Sequence, residues 1–239
     1  MIRSLRPALD GRGARTLLAA AAAVIGLLAG VGSILFLRIM YPPPPRPRSD
    51  RIRVAAIGDS NTYGAGVLLL GRHRRSYPAQ LGRILGERHQ VLNYGVNRCT
   101  LQQEGDWPWD ATPFADASLR ARPDIVLIML GSNDARGDNW NAERYETELI
   151  DFVERYRSHG ADVHLLTPPV AFANRGGVSA RIIEEEVAPI VRRVAESLGV
   201  DLIDVFDVTA RSVRSHPDGI HLDARSSRLV AETVAAALR

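Results

Sequence analysis

The chain has 239 residues, 46% apolar and 24% charged, which is ample for one globular core and short for two. Its net charge of +3 is uneven: seven of the thirty basic residues stand against Asp10 and Asp50 before residue 51, and the other 23 meet 25 acids, so the folded part offers nucleic acid no basic block. Every basic residue is arginine, which excludes Schiff-base and Walker-lysine chemistry, and the single Cys99 excludes an intrachain disulfide and gives no zinc pattern.

Thr16–Leu37 carries no charge and at about 1.5 Å per residue can cross a hydrocarbon layer of roughly 30 Å. A cleaved signal peptide has an apolar region of only about 7–15 residues and a small-residue cleavage site. This segment is longer and runs into Leu35-Phe36-Leu37-Arg38 without such a site, so the expectation is an uncleaved transmembrane anchor. Arg3, Arg6, Arg12 and Arg15 precede it and Arg38, Arg46, Arg48, Arg51 and Arg53 come after it, so the charge rule for orientation nearly cancels. A first, single span behind a short tail usually delivers the rest of the chain to the outside, so the domain is expected to be extracytoplasmic. The predicted organisation is a basic tail over 1–15, a span over 16–37, a Pro/Arg-rich linker over 38–50 and a domain over 51–239. Pro42–Pro45 reads as a stiff polyproline II spacer. The arginines of tail and linker suit anionic lipid head groups.

From Arg51 short apolar runs alternate with amphipathic segments. Strands are predicted over Ile52–Ile57, Gln90–Tyr94, Asp124–Leu130, Val163–Thr167 and Val200–Val205. Helices are predicted over Tyr77–Arg88, from a Thr112-Pro113 start to Arg120, and over Asn141–Ser158, Ser179–Leu198 and Ser226–Leu238. Pro189 must kink or split the fourth of these. Five β-α repeats call for an α/β fold with a five-stranded parallel sheet covered on both faces. Ligands in such sheets bind beyond the carboxyl ends of the strands.

Three motifs fall at element ends. Gly58-Asp59-Ser60 follows the first strand, Gly131-Ser132-Asn133-Asp134 follows the third, and Asp218-Gly219-Ile220-His221 precedes the last helix. Nucleophilic acyl transfer needs these parts: a hydroxyl, a base, a group that orients the base, and donors for an oxyanion. A bare Gly-Asp-Ser is also a common turn, so the weight lies in the ordered set. With Asn93-Tyr94-Gly95-Val96 as a further block, the chain resembles the GDSL-type esterases and lipases, or SGNH hydrolases, from about Arg53 to its end.

The resemblance implies a flavodoxin-like three-layer sandwich and a serine esterase with no cofactor and no metal. It implies Ser60 as nucleophile, His221 as base and Asp218 as its orienting carboxylate. The implied oxyanion donors are the Ser60 and Gly95 N–H groups and the Asn133 amide. Asp59 and Asp134 are expected to hydrogen-bond loop amides; grouping them with Asp218 and His221 as a metal site is the weaker reading. His216 is the nearest rival base. The chain departs from its relatives after the second block, where Asn97-Arg98-Cys99-Thr100 replaces a small residue or glycine. Arg98 and Trp140 are candidate substrate contacts, with Trp107 and Trp109 on the same loops. The expected partners are a small-molecule, lipid or acylated-sugar ester and, through the N-terminal helix, a membrane. Acyl transfer to a sugar hydroxyl, or a non-catalytic binding domain of the same architecture, remain open alternatives.

Overall fold

The computed structural model describes residues 11–40, 42–67, 71–211, 216 and 218–239; Arg3 and Arg6 of the expected tail lie outside them. The chain divides into two units, Met1–Pro43 and Pro44–Arg239. In the first, helix α1 (Gly11–Met40) contains a stretch of 22 residues, Arg15–Phe36, long and apolar enough to cross a membrane. Its large side chains are bare, with Leu18 at 70% exposure. The helix outruns the predicted span at both ends because arginine is a good helix former and no proline stands between Pro7 and Pro42. Residues 38–40 are therefore helix and not linker.

In the second unit, β1 (Ile52–Gly58), β2 (His89–Gly95), β3 (Ile125–Met129), β4 (Asp162–Leu166) and β5 (Asp201–Ile203) form one sheet in the order β2-β1-β3-β4-β5. Every pairing is parallel. This is the flavodoxin-like order, in which the chain reverses direction of travel between β1 and β3. Alternate residues of each strand enter different cores. Ala55, Ile57, Val126, Ile128, Val163 and Leu165 pack with Phe152, Tyr156 and Val194 on one face. Val54, Ala56, Leu127, Met129 and Ile203 pack with Leu81, Val230 and Val234 on the other. Burial on both faces explains the unbroken apolar runs.

The helices are α2 (Ser60–Tyr63), α3 (Arg72–Arg75), α4 (Tyr77–Leu85), α5 (Pro113–Arg120), α6 (Ala142–Arg157), α7 (Ala180–Ile182), α8 (Ala188–Leu198), α9 (Val205–Ala210) and α10 (Ala224–Ala237). The expected break near Pro189 is a π turn over Ile183–Val187, where the Ala188 N–H reaches back five residues to the Ile183 carbonyl. Proline lacks an N–H to offer, and the widened turn accommodates it at the start of α8. The predicted last strand is cut short at Ile203, because the Asp204 carboxylate caps the Asp207 N–H and starts α9. At the amino-end edge of the sheet, Gln90 accepts the Arg48 N–H (2.7 Å) and donates to the Arg46 carbonyl (3.0 Å). The end of the expected linker is thus pinned to the start of β2, opposite the edge that carries the motifs.

Candidate active site

β1 ends at Gly58 and the chain turns at once into α2, with Asp59 as its cap accepting the Asn61 N–H at 2.8 Å. Asp59 is fully buried, and burial raises its pKa against the pull of that amide. Ser60 opens the helix, so its own N–H has no helical acceptor. The Asn61 side chain then reaches across 161 residues to accept the Leu222 N–H at 3.0 Å. That bond clasps the turn bearing Ser60 to the turn bearing His221. A second contact reinforces the clasp: a Cβ at Gly66 would overlap the Leu222 carbonyl and stand 2.9 Å from His221 Cβ.

Across the clasp, Ser60 Oγ lies 2.9 Å from His221 Nε2, and His221 Nδ1 lies 2.6 Å from Asp218 Oδ2. The other Asp218 oxygen accepts the His221 N–H (2.8 Å) and the Ile220 N–H (3.1 Å). Partial burial raises the pKa of this carboxylate, but the His221 ring and the two amides outweigh it and bring it down to about 2. His216 is buried and meets the Phe172 ring edge-on at 5.1 Å. The ring at the Ser60 hydroxyl is that of His221.

The second half of the site gathers around Asn133, which follows β3 and is buried. One N–H of its amide is donated to the Cys99 carbonyl at 3.1 Å, and the other has no acceptor among the described residues. Asp134 accepts the Leu101 N–H (3.0 Å) and the Gln102 N–H (2.8 Å), as expected of a loop-holding carboxylate. Its complete burial raises its pKa to about 6 in spite of those two amides.

Gly95 stands at the end of β2, but its N–H is already donated to Asn93 Oδ1 at 2.9 Å. Its lack of a side chain serves packing instead, since a Cβ there would overlap the Tyr63 amide. In the turn that comes next, Val96 donates to the Gly58 carbonyl (3.0 Å) and Cys99 to Val96 (3.4 Å). Arg98 lies between them at φ +69°, exposed. Among the described residues its N–H and its guanidinium have no acceptor. Trp140, a candidate substrate contact, donates to Glu186 (2.6 Å), leans on Tyr145 and packs against the core, so it serves as cover. Trp109 is buried with its indole N–H on the Tyr94 carbonyl, whereas Trp107 is 46% exposed. Sequence reasoning gave no role to Asn61 or Gly66, whose contacts with the turn bearing His221 appear only in the fold.

Strand order and parallel pairing define the class, an α/β protein of flavodoxin-like topology. The chain belongs to the GDSL-like lipase/acylhydrolase family, whose model matches residues 56–229. It is 31% identical over 216 residues to an acetylxylan esterase of Xylanibacter ruminicola, covering 82% of this chain and 45% of that protein, so it spans less than half of that relative. It is also 26% identical over 224 residues to an uncharacterized lipoprotein, YqeF, of Bacillus subtilis, covering 76% of this chain and 87% of that one. In fold it is similar to the inhibitor-bound aryl esterase of M. smegmatis, with a TM-score of 0.64, 18% identity, and 78% and 98% of the two chains covered.

Proposed function

We propose that this chain is a membrane-anchored serine esterase that removes acyl groups, acetyl foremost, from carbohydrate hydroxyls. The observation that carries the reading is the relay from Ser60 Oγ through His221 to Asp218, at 2.9 and 2.6 Å. In this reading Asp218 holds His221 in the tautomer with its proton on Nδ1, so that Nε2 is free to accept the Ser60 proton. Ser60 Oγ then bonds to the ester carbonyl carbon, and the negative charge moves onto the carbonyl oxygen. Collapse of that intermediate breaks the bond to the alcohol, which takes the proton from His221 Nε2. Water, deprotonated by the same nitrogen, releases the acid and restores Ser60.

The oxyanion donors in this reading are the Ser60 N–H, the free N–H of the Asn133 amide and the Arg98 N–H. Arg98 takes the place expected for Gly95, whose N–H is engaged by Asn93. Carbohydrate acetyl esters are favoured by the acetylxylan esterase relative. Anchoring through α1 with the domain outside the cytoplasm is favoured by the bare apolar stretch of 22 residues and by the lipoprotein relative.

A fluorophosphonate probe applied to the full chain in detergent tests the proposal. Labelling that disappears in Ser60→Ala, together with loss of at least about 10³-fold of 4-nitrophenyl acetate hydrolysis, is the expected outcome. Labelling or turnover that survives in Ser60→Ala removes the nucleophile and the reading with it.

A further inference from the structure

The esterase reading uses the N–H that the turn after β2 presents at Arg98, but leaves unexplained why an arginine side chain stands there. The Cys99 N–H closes a four-residue turn onto the Val96 carbonyl, and Arg98 is its third residue at φ +69°. That position of a turn suits glycine or asparagine, because a Cβ crowds the backbone there. The turn is fixed on both sides by the site itself. Val96 is bonded to the Gly58 carbonyl, two residues before Ser60, and the Cys99 carbonyl receives the Asn133 amide. Residues 97 and 98 therefore run between the nucleophile's strand and the oxyanion amide.

The Arg98 side chain leaves this strained position for solvent and meets no acid among the described residues. Arginines on neighbouring loops are tied down: Arg136 to Asp106 (2.8 Å) and to the Gly176 carbonyl, and Arg72 over the Tyr63 ring (4.1 Å). The acids of the adjacent motifs are committed too, Asp134 to the Leu101 and Gln102 amides and Asp59 to its helix cap. Strain kept at a site for a side chain with no structural partner indicates that the side chain has a ligand.

We propose that Arg98 is a specificity residue whose guanidinium receives an anionic substituent, a carboxylate or a phosphate, on the sugar that carries the acyl group. This rests on the esterase reading and names its substrate class. A planar guanidinium matches either anion with two parallel hydrogen bonds. The attraction has to be local, because residues 51–239 hold slightly more acids than arginines, 25 against 23.

The test compares ester pairs that differ in one charge, using the full chain in detergent. An acetylated methyl glucuronoside is offered as the free acid and as its methyl ester, and acetylated glucose 6-phosphate against acetylated glucose. Wild-type protein is expected to favour an anionic member by about tenfold or more in kcat/KM, and Arg98→Gln to bring the ratio near one. Raising salt from about 0.05 M to about 0.5 M should shrink the wild-type ratio and leave that of the variant flat. Selectivity confined to one pair identifies the anion as carboxylate or phosphate. Arg98→Gly should lose the selectivity and yet raise Tm, since glycine accepts φ +69°; an arginine kept for structure would lower Tm on removal. A wild-type ratio near one, or a ratio that survives Arg98→Gln, overturns the assignment. Folded protein that fails to hydrolyse even 4-nitrophenyl acetate overturns the esterase reading itself, and this one with it.

Discussion

The two halves of the site are built in opposite ways. On the nucleophile side, Ser60, His221 and Asp218 belong to two tight turns whose braces are next-door residues: Asp59 caps α2, and Asp218 takes the amides of Ile220 and His221. On the oxyanion side, the brace of the loop is a carboxylate 33 residues away from Leu101 in sequence, Asp134, and the loop in turn holds Asn133 through the Cys99 carbonyl. The difference also separates two aspartates. Asp218, partly exposed and fed by three donors, is held down at about 2, whereas Asp134, wholly buried, is raised to about 6. The charge on Asp218 is stabilised by its donors, and the charge on Asp134 is disfavoured by burial.

If the halves act separately, each can be broken alone. The larger effect is expected on the oxyanion side. Asn133→Ala should reduce kcat by about 10²–10³-fold with little change in KM, because its free N–H serves the developing charge and not the bound ester. The relay itself should stay intact, so an effect confined to KM would take Asn133 out of the oxyanion hole.

On the other side, Gly66→Ala places a methyl group against the Leu222 carbonyl and the back of His221. The imidazole must shift, and displacements of about 1 Å can cost up to about 10²-fold. We expect kcat to fall by about 10–100-fold with the same KM, and the fluorophosphonate rate to fall in parallel. Unchanged turnover in a folded variant would mean that the clasp between the two turns does not set the position of His221.

The same contrast governs what is legible in the sequence. Gly58-Asp59-Ser60 and Asp218-x-x-His221 hold the proposed catalytic residues and their braces within a few positions, so the motifs point to a relay. The sheet is legible for a similar reason: apolar runs buried on both faces announce parallel strands, and the strand ends fall within one residue of the expected ones, Val205 apart. There a carboxylate cap outweighs the β propensity of valine. For Gly95 the letters leave donation and packing open, because a glycine at a strand end can serve either, and the Asn93 side chain on its N–H favours packing. Arg98 has the opposite difficulty, since nothing in the letters Asn-Arg-Cys-Thr reveals a left-handed arginine. The donor it contributes is a property of the turn and not of the residue type.

The smallest expected effect, and the sharpest contrast between the halves, is in the pH dependence of stability. For Asp218 the folded pKa is about 2, below the unfolded value near about 3.9, so folding favours the charged form. Its stabilisation is present above about pH 4 and is lost as pH falls toward about 2. For Asp134 the folded pKa is about 6, above the same reference, so the folded state keeps a proton that the unfolded chain releases. Its contribution becomes less favourable as pH rises from about 4 to about 6, which is the opposite sign in the adjoining window. Urea unfolding of wild type, Asp218→Asn and Asp134→Asn from about pH 2.5 to about pH 7, roughly the span of both titrations, separates them by difference. The wild-type advantage over Asp218→Asn should shrink only on the acid side of about pH 4. The advantage over Asp134→Asn should grow as pH falls from about 6 to about 4. Two curves of the same sign would show that both carboxylates are favoured as charges by folding, and that burial does not raise the pKa of Asp134.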